Sequence, residues 1–139
     1  CYDCDQNYLC WENEYYIPYV DQTGESHLVI FLDTIEGLEI GDEIGLFDLN
    51  GTVDSDGNTG EILVGSDRWN GEQLEIVAIG SVDLSQFDGP ILPGYLGGNT
   101  MVLKIWDSSS QVQTDATYTI DTGTGTFNDL FTTIDNISN

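Results

Sequence analysis

The chain has 139 residues and 15.3 kDa, enough for one domain, and its 40% hydrophobic content excludes a disordered polymer. Its 25 Asp and Glu face two basic residues, Arg68 and Lys104, and the net charge of −23 excludes a phosphate-neutralising nucleic-acid binder and a polybasic membrane-surface protein. There is no apolar run of the roughly 18 residues that a membrane-spanning helix needs.

The first 25 residues differ from the rest. Cys1, Cys4 and Cys10 fall within ten residues as C-x2-C-x5-C. A zinc site wants a fourth Cys or His, and the single His27 lies far along the chain. A chain beginning at Cys1 reads as a secreted precursor with its signal peptide removed. In an oxidising compartment an odd cysteine implies a bond to another chain. Two alternatives stand beside it: a lipid on Cys1 with Cys4 and Cys10 paired, or a local disulfide plus an inert thiol. The same stretch holds Tyr2, Tyr8, Trp11, Tyr15, Tyr16 and Tyr19. Aromatics are enriched at interfaces, so residues 1–25 read as an arm donated to a neighbouring subunit. The competing reading makes residues 8–20 the first strand of the same domain.

From residue 26 to 139 the chain reads as β. His27–Asp33, Ile44–Phe47, Glu61–Gly65, Leu74–Gly80, Met101–Trp106, Ala116–Ile120 and Asn128–Ile134 are β-branched or aromatic runs separated by turn-forming clusters. Asn50-Gly51 and Asn70-Gly71 are hairpin signals. No helical periodicity is sustained. The pattern predicts an all-β fold with little or no helix, an antiparallel β-sandwich of immunoglobulin-like or jelly-roll-like type. Leu74–Gly80 is apolar on both alternating sets, which predicts a central strand covered on both faces. The surplus apolarity on outer faces predicts packing against another subunit.

Asp48, Asn50, Asp54, Asp56, Asn58 and Glu61 lie within fourteen residues, and such oxygen donors on a loop suit Ca²⁺ or another hard cation. The alternative is a solvated acidic loop whose Asp and Asn only make turns. A second acidic cluster is Asp33, Glu36, Glu39, Asp42 and Glu43. Trp69, in a turn, is expected to be exposed and with Tyr95 could stack on a sugar ring, whereas Trp106 is expected in the core. Lys104 sits in an apolar strand, either pointing outward to discourage edge pairing or condensing with an Asn. Asn50-Gly51-Thr52 and Asn136-Ile137-Ser138 fit glycosylation acceptors. His27 beside Ser26 has no GxSxG around it, and GxGxxG, P-loop and HExxH motifs are missing, so no enzyme is expected.

Charge of this size makes the compact state repel itself. At roughly 1 M salt the Debye length falls to about 3 Å and that repulsion is screened, which predicts a halophilic or alkaliphilic extracellular setting. Bound Ca²⁺ in an ordinary medium is the alternative source of counter-charge.

In order along the chain, Ile40–Asp48 (IGDEIGLFD), Val64-Gly65-Ser66 with Trp69–Glu72 (WNGE), Leu74–Asp83 (LEIVAIGSVD) and Gly94–Asp107 (GYLGGNTMVLKIWD) resemble a β-sandwich module of secreted and cell-surface bacterial proteins. The resemblance covers about residues 26–134. It implies an extracellular, non-enzymatic role in adhesion, glycan contact or surface structure. Two features depart from it: the module stands alone, and it carries the Cys- and Tyr-rich arm. In those respects the chain resembles subunits of extracellular bacterial filaments that join by donated strands. A head-to-tail contact of that kind does not close on itself and gives a helical fibre of identical copies. The expected function is thus a structural subunit self-assembling into a filament or tube. The alternative is a calcium-stabilised, glycan-binding adhesion domain of the cell surface.

Overall fold

The computed structural model describes residues 14–127 and 131–138. The fold is all-β. Nine strands run β1 (Ser26–Phe31), β2 (Glu43–Thr52), β3 (Thr59–Arg68), β4 (Leu74–Ile79), β5 (Val82–Asp83), β6 (Ile91–Leu92), β7 (Val102–Asp107), β8 (Val112–Thr122) and β9 (Thr132–Ser138). Among the described residues the only helical piece is a single 3-10 turn at Ser85–Phe87.

Seven strands follow one another in the order β3-β2-β7-β8-β9-β1-β4, and β5 and β6 form a small separate hairpin. The long β8 is the corner. Its first half, Val112–Ala116, pairs with β7, and its second half, Thr117–Thr122, pairs with β9. Register shifts in the second half, at Thr119–Thr122, add local twist where the sheet turns. Two layers result. One holds β3, β2, β7 and the start of β8; the other holds the end of β8, β9, β1 and β4. All pairings are antiparallel except β1 with β9.

Alternation places the core. His27, Val29 and Phe31 of β1 point inward with Ile76 and Ala78 of β4 and Ile134 of β9. All of these but His27 meet Ile44 and Leu46 of β2, Ile62 and Val64 of β3, and Leu103 and Ile105 of β7 in one cluster. At the side away from β8, the end strands β3 and β4 approach without forming a ladder. A Cβ on Gly65 of β3 would sit 3.0 Å from the Val77 carbonyl of β4, so a larger residue there would press the two strands apart by a few tenths of an ångström.

Three expectations about the strands change. β4 is not central: it ends the strand order, and Glu75 and Val77 face water, Val77 at 50% exposure. Asn50-Gly51 is not a turn but lies inside β2 at a bulge, because the Asp48 carboxylate takes the Asn50 N–H and turns the strand there. The turn itself follows at 53–58, where the Val53 N–H bonds the Asn58 carbonyl. The last strand begins at Thr132 rather than Asn128, and residues 128–130 lie outside the described residues.

Candidate functional site

The outer face of the first layer is covered by the chain itself. Glu43, Gly45 and Phe47 of β2 alternate outward, as do Lys104 and Trp106 of β7, yet the three β2 residues are buried. A strap of residues 14–20 lies across them. Both oxygens of the Glu43 carboxylate accept the Tyr15 N–H, at 3.0 and 2.9 Å, and one also accepts the Tyr16 N–H at 2.9 Å. The Arg68 guanidinium stands 3.5 Å from the same carboxylate and donates to the Gly41 carbonyl at 2.9 Å. A buried carboxylate is tolerated only when its charge is answered in this way.

Glycine at 45 makes room for Tyr16, whose ring carbons lie 3.1 Å from where a Cβ would be. The Tyr16 ring meets Phe47 edge-on at 5.7 Å, and its hydroxyl donates to Gln113 at 2.8 Å. Burial, with the neighbouring Tyr15, Glu43 and Asp115, pushes the Tyr16 pKa well up. Ser66 donates to the Tyr16 carbonyl, and the Tyr19 hydroxyl donates to the Val53 carbonyl. Tyr15 stacks on Trp106 at 3.7 Å and 3°. Trp106, expected in the core, is thus a half-buried platform on the outer face.

The strap has period two. Tyr16 turns in, while Tyr15, Ile17 and Tyr19 are 48%, 72% and 60% exposed. Part of the surplus apolarity of this outer face is covered by the chain's own residues 14–20. Of the arm expected over residues 1–25, the described part packs on the body that carries it. Cys1, Cys4, Cys10, Tyr2, Tyr8 and Trp11 lie outside the described residues.

Among the described residues the carboxylates of the acidic loop do not converge as a group of three. Asp48 is buried and its carboxylate accepts from Asn50, Leu96 and the Asn99 side chain. Asp54 accepts the Asp56 and Asn58 N–H groups and the Asn58 side chain, which hold its pKa below the usual carboxylate range. Glu61 pairs with Lys104 at 3.2 Å. Lys104 also lies 4.8 Å over the Phe47 ring, so its charge is used on the first layer's outer face.

Carboxylates converge elsewhere. Glu39, Asp42 and Asp107 each bring an oxygen within 4.8 Å of the others, the only such group among the described residues. Three hard oxygens are half of what Ca²⁺ takes, with waters for the remainder. Glu39 and Asp42 belong to the second acidic cluster; Asp107 arrives from the end of β7. Asp42 is 4% exposed, and burial first, then Asp107 and Glu39, push its pKa up. Its Oδ2 accepts the Glu39 N–H at 2.9 Å.

The raised pKa has a sign. The charged form of Asp42 is penalised in the fold, so the penalty is full above the folded pKa, shrinks as pH falls through it, and vanishes below the unfolded value of 3.8. Asp42→Asn, which keeps an oxygen for the Glu39 N–H, is expected to melt higher than wild type at pH 7, with the gap closing toward pH 4. Paired thermal melts across that range check it.

The sugar platform is corrected. Trp69 is 3% exposed and Tyr95 is 2% exposed, so neither meets solvent. The Trp69 backbone is bonded on both sides to the 41–42 turn, which swings the ring into the core. Tyr95 stacks on Phe127 at 4.6 Å, and burial, with a smaller push from Glu25, raises its pKa to about 12. His27 is a core residue 2.9 Å from the Thr132 hydroxyl, while Ser26 points to the opposite face.

Asn50 and Asn136, the asparagines of the two acceptor-like tripeptides, are both exposed. Among the described residues no helix is long and apolar enough to cross a membrane. No family model, curated protein or solved structure matches the chain.

Proposed function

We propose that this protein is a non-enzymatic structural subunit that self-assembles into an extracellular filament or tube. Its joint is carried by the N-terminal segment and locked through one or more of Cys1, Cys4 and Cys10. The observation that carries this reading is the strap. Glu43 clamps the backbone at Tyr15 and Tyr16, so the described chain is held to the body within two residues of the cysteine-bearing segment. Thirteen residues, if extended, reach about 43 Å, enough to meet an adjoining copy. The acidic surface keeps such a polymer unbundled, and salt lets the copies approach.

Deleting residues 1–13 spares every strap contact described above. The truncated chain is expected to stay folded and to form no filaments by electron microscopy under conditions where the full chain does, and the full chain is expected to give disulfide-linked ladders on non-reducing gels. Filaments from the truncated chain as abundant as those of the full chain, or a full chain that runs as a monomer without reductant, would overturn the joint and its lock.

A second reading, a calcium-stabilised adhesion domain, is favoured by the convergence of Glu39, Asp42 and Asp107. It predicts that added Ca²⁺ raises the melting temperature of wild type but not of Asp42→Asn. Any glycan contact in that reading falls to residues other than Trp69 and Tyr95.

A further inference from the structure

We infer that Asn70 is a site of spontaneous covalent modification: the Gly71 backbone nitrogen attacks its side-chain amide, ammonia leaves, and water converts residue 70 to aspartate or isoaspartate, while Asn50 in the same dipeptide context is spared. The chain has two Asn-Gly steps, Asn50-Gly51 and Asn70-Gly71. In both, the residue after the asparagine carries no side chain to shield its nitrogen, so local sequence makes them comparably reactive. Asn58, Asn99 and Asn136 precede Thr, Thr and Ile, whose branched side chains crowd that approach. The fold is what separates the two Asn-Gly steps.

Asn70, Gly71 and Glu72 are exposed and lie in the turn between β3 and β4. Among the described residues nothing accepts the Gly71 N–H. The Asn70 Oδ1 accepts the Glu72 N–H at 3.0 Å. That bond curls the side chain over the turn and draws electrons from the carbonyl that is attacked. The negative charge of the tetrahedral intermediate falls on the same oxygen, where a donor already stands. The step needs only water. Hydroxide takes the Gly71 amide proton, the nitrogen bonds to Asn70 Cγ, and the Cγ–Nδ2 bond breaks. The leaving nitrogen departs as ammonia with a proton from water, which restores the hydroxide, and a succinimide ring remains. Water opens the ring at Cγ to give aspartate, or at the main-chain carbonyl to give isoaspartate.

Asn50 has the same atoms in a locked frame. Gly51 is buried and paired with Gly60 in the β2–β3 ladder, and a Cβ there would stand 2.6 Å from Ile62. The Asn50 carbonyl accepts the Asn99 side chain at 3.1 Å. Closing a ring through the Gly51 nitrogen would turn this peptide out of the ladder, so the strand must open first. At residue 70 each event adds one carboxylate to a chain of −23. The isoaspartate form also adds a main-chain atom beside Trp69, whose backbone is tied to the 41–42 turn.

The test incubates the full-length wild type in mildly alkaline buffer with reductant, folded in one arm and unfolded in guanidinium chloride in the other. Mass spectrometry of its peptides follows residues 50 and 70, with chromatography separating the aspartate and isoaspartate forms. In the folded protein residue 70 is expected to lose its amide at least about tenfold faster than residue 50, which waits on local opening of the ladder. In denaturant the two rates are expected to converge, because local sequence alone then governs them. Residue 70 keeping its amide in the fold while losing it in denaturant would overturn the inference. So would residues 50 and 70 converting alike in the folded protein.

Discussion

Gly94→Ala is expected to cost about 3 kcal/mol, the upper end of what overpacking a core does, and to lower the melting temperature by about 10 °C. A Cβ at 94 would stand 2.4 Å from the Gly80 carbonyl carbon and 2.5 Å from the Ser81 nitrogen. These are backbone atoms and cannot rotate aside. The position ties the two layers together. Gly94 exchanges both backbone hydrogen bonds with Thr52 at the end of β2, and the Tyr95 backbone bonds Ile79 at the end of β4 and Ser81 just after it. Pushing residue 94 away would break these bonds and lift Tyr95 from Phe127. Gly60→Ala is the control: the nearest atom to its Cβ is a Val53 methyl at an ordinary 3.7 Å, and its cost is expected to stay within about 0.5 kcal/mol. Denaturant titration of both variants checks the contrast.

Glu43→Ala is expected to cost a similar amount, about 3 kcal/mol, because it breaks a buried ionic cluster from one side. The Tyr15 and Tyr16 amides lose their acceptor and Arg68 loses its carboxylate. The loss also has a place. Residues 14–20 should become open to amide hydrogen exchange and proteolysis while β1, β7 and β9 keep their protection. Glu43→Gln retains a carbonyl for the amides and is expected to cost less than half as much. A strap that stays protected in Glu43→Ala would mean that Tyr16 packing alone holds it down.

The strands were largely legible in the sequence because a half-buried strand writes its burial with period two. Val29 and Phe31, Leu103 and Ile105, and the Asn70-Gly71 turn, with Gly71 at φ +86°, all stand where local pattern puts them. What the pattern could not carry was the layout of the sheet. Leu74–Ile79 is apolar enough for a central strand, but strand order is set by pairings between residues far apart in sequence, from Phe31↔Leu74 to Ser26↔Ile79, and these leave it at the end.

The site was legible in part. The alternation of Tyr15, Ile17 and Tyr19 against Tyr16 was available as a signal, and Gly45 was available as the hole that Tyr16 fills. The clamp was not: nothing local in Glu43 marks it as acceptor for amides 27 and 28 residues away. In the same way Glu39 and Asp42 are neighbours in sequence, whereas Asp107 joins them only through the ladder that sets β7 beside β2. Trp69 was misplaced because a turn residue reads as exposed until its backbone bonds to the 41–42 turn are seen.

The most direct measurement is negative-stain electron microscopy of the full-length protein across a salt series, with non-reducing gels alongside. Long unbranched filaments that grow more abundant as salt rises, and that yield disulfide-linked ladders, are the predicted result. Isolated single-domain particles at every salt concentration, with a lone 15.3 kDa band, would contradict it.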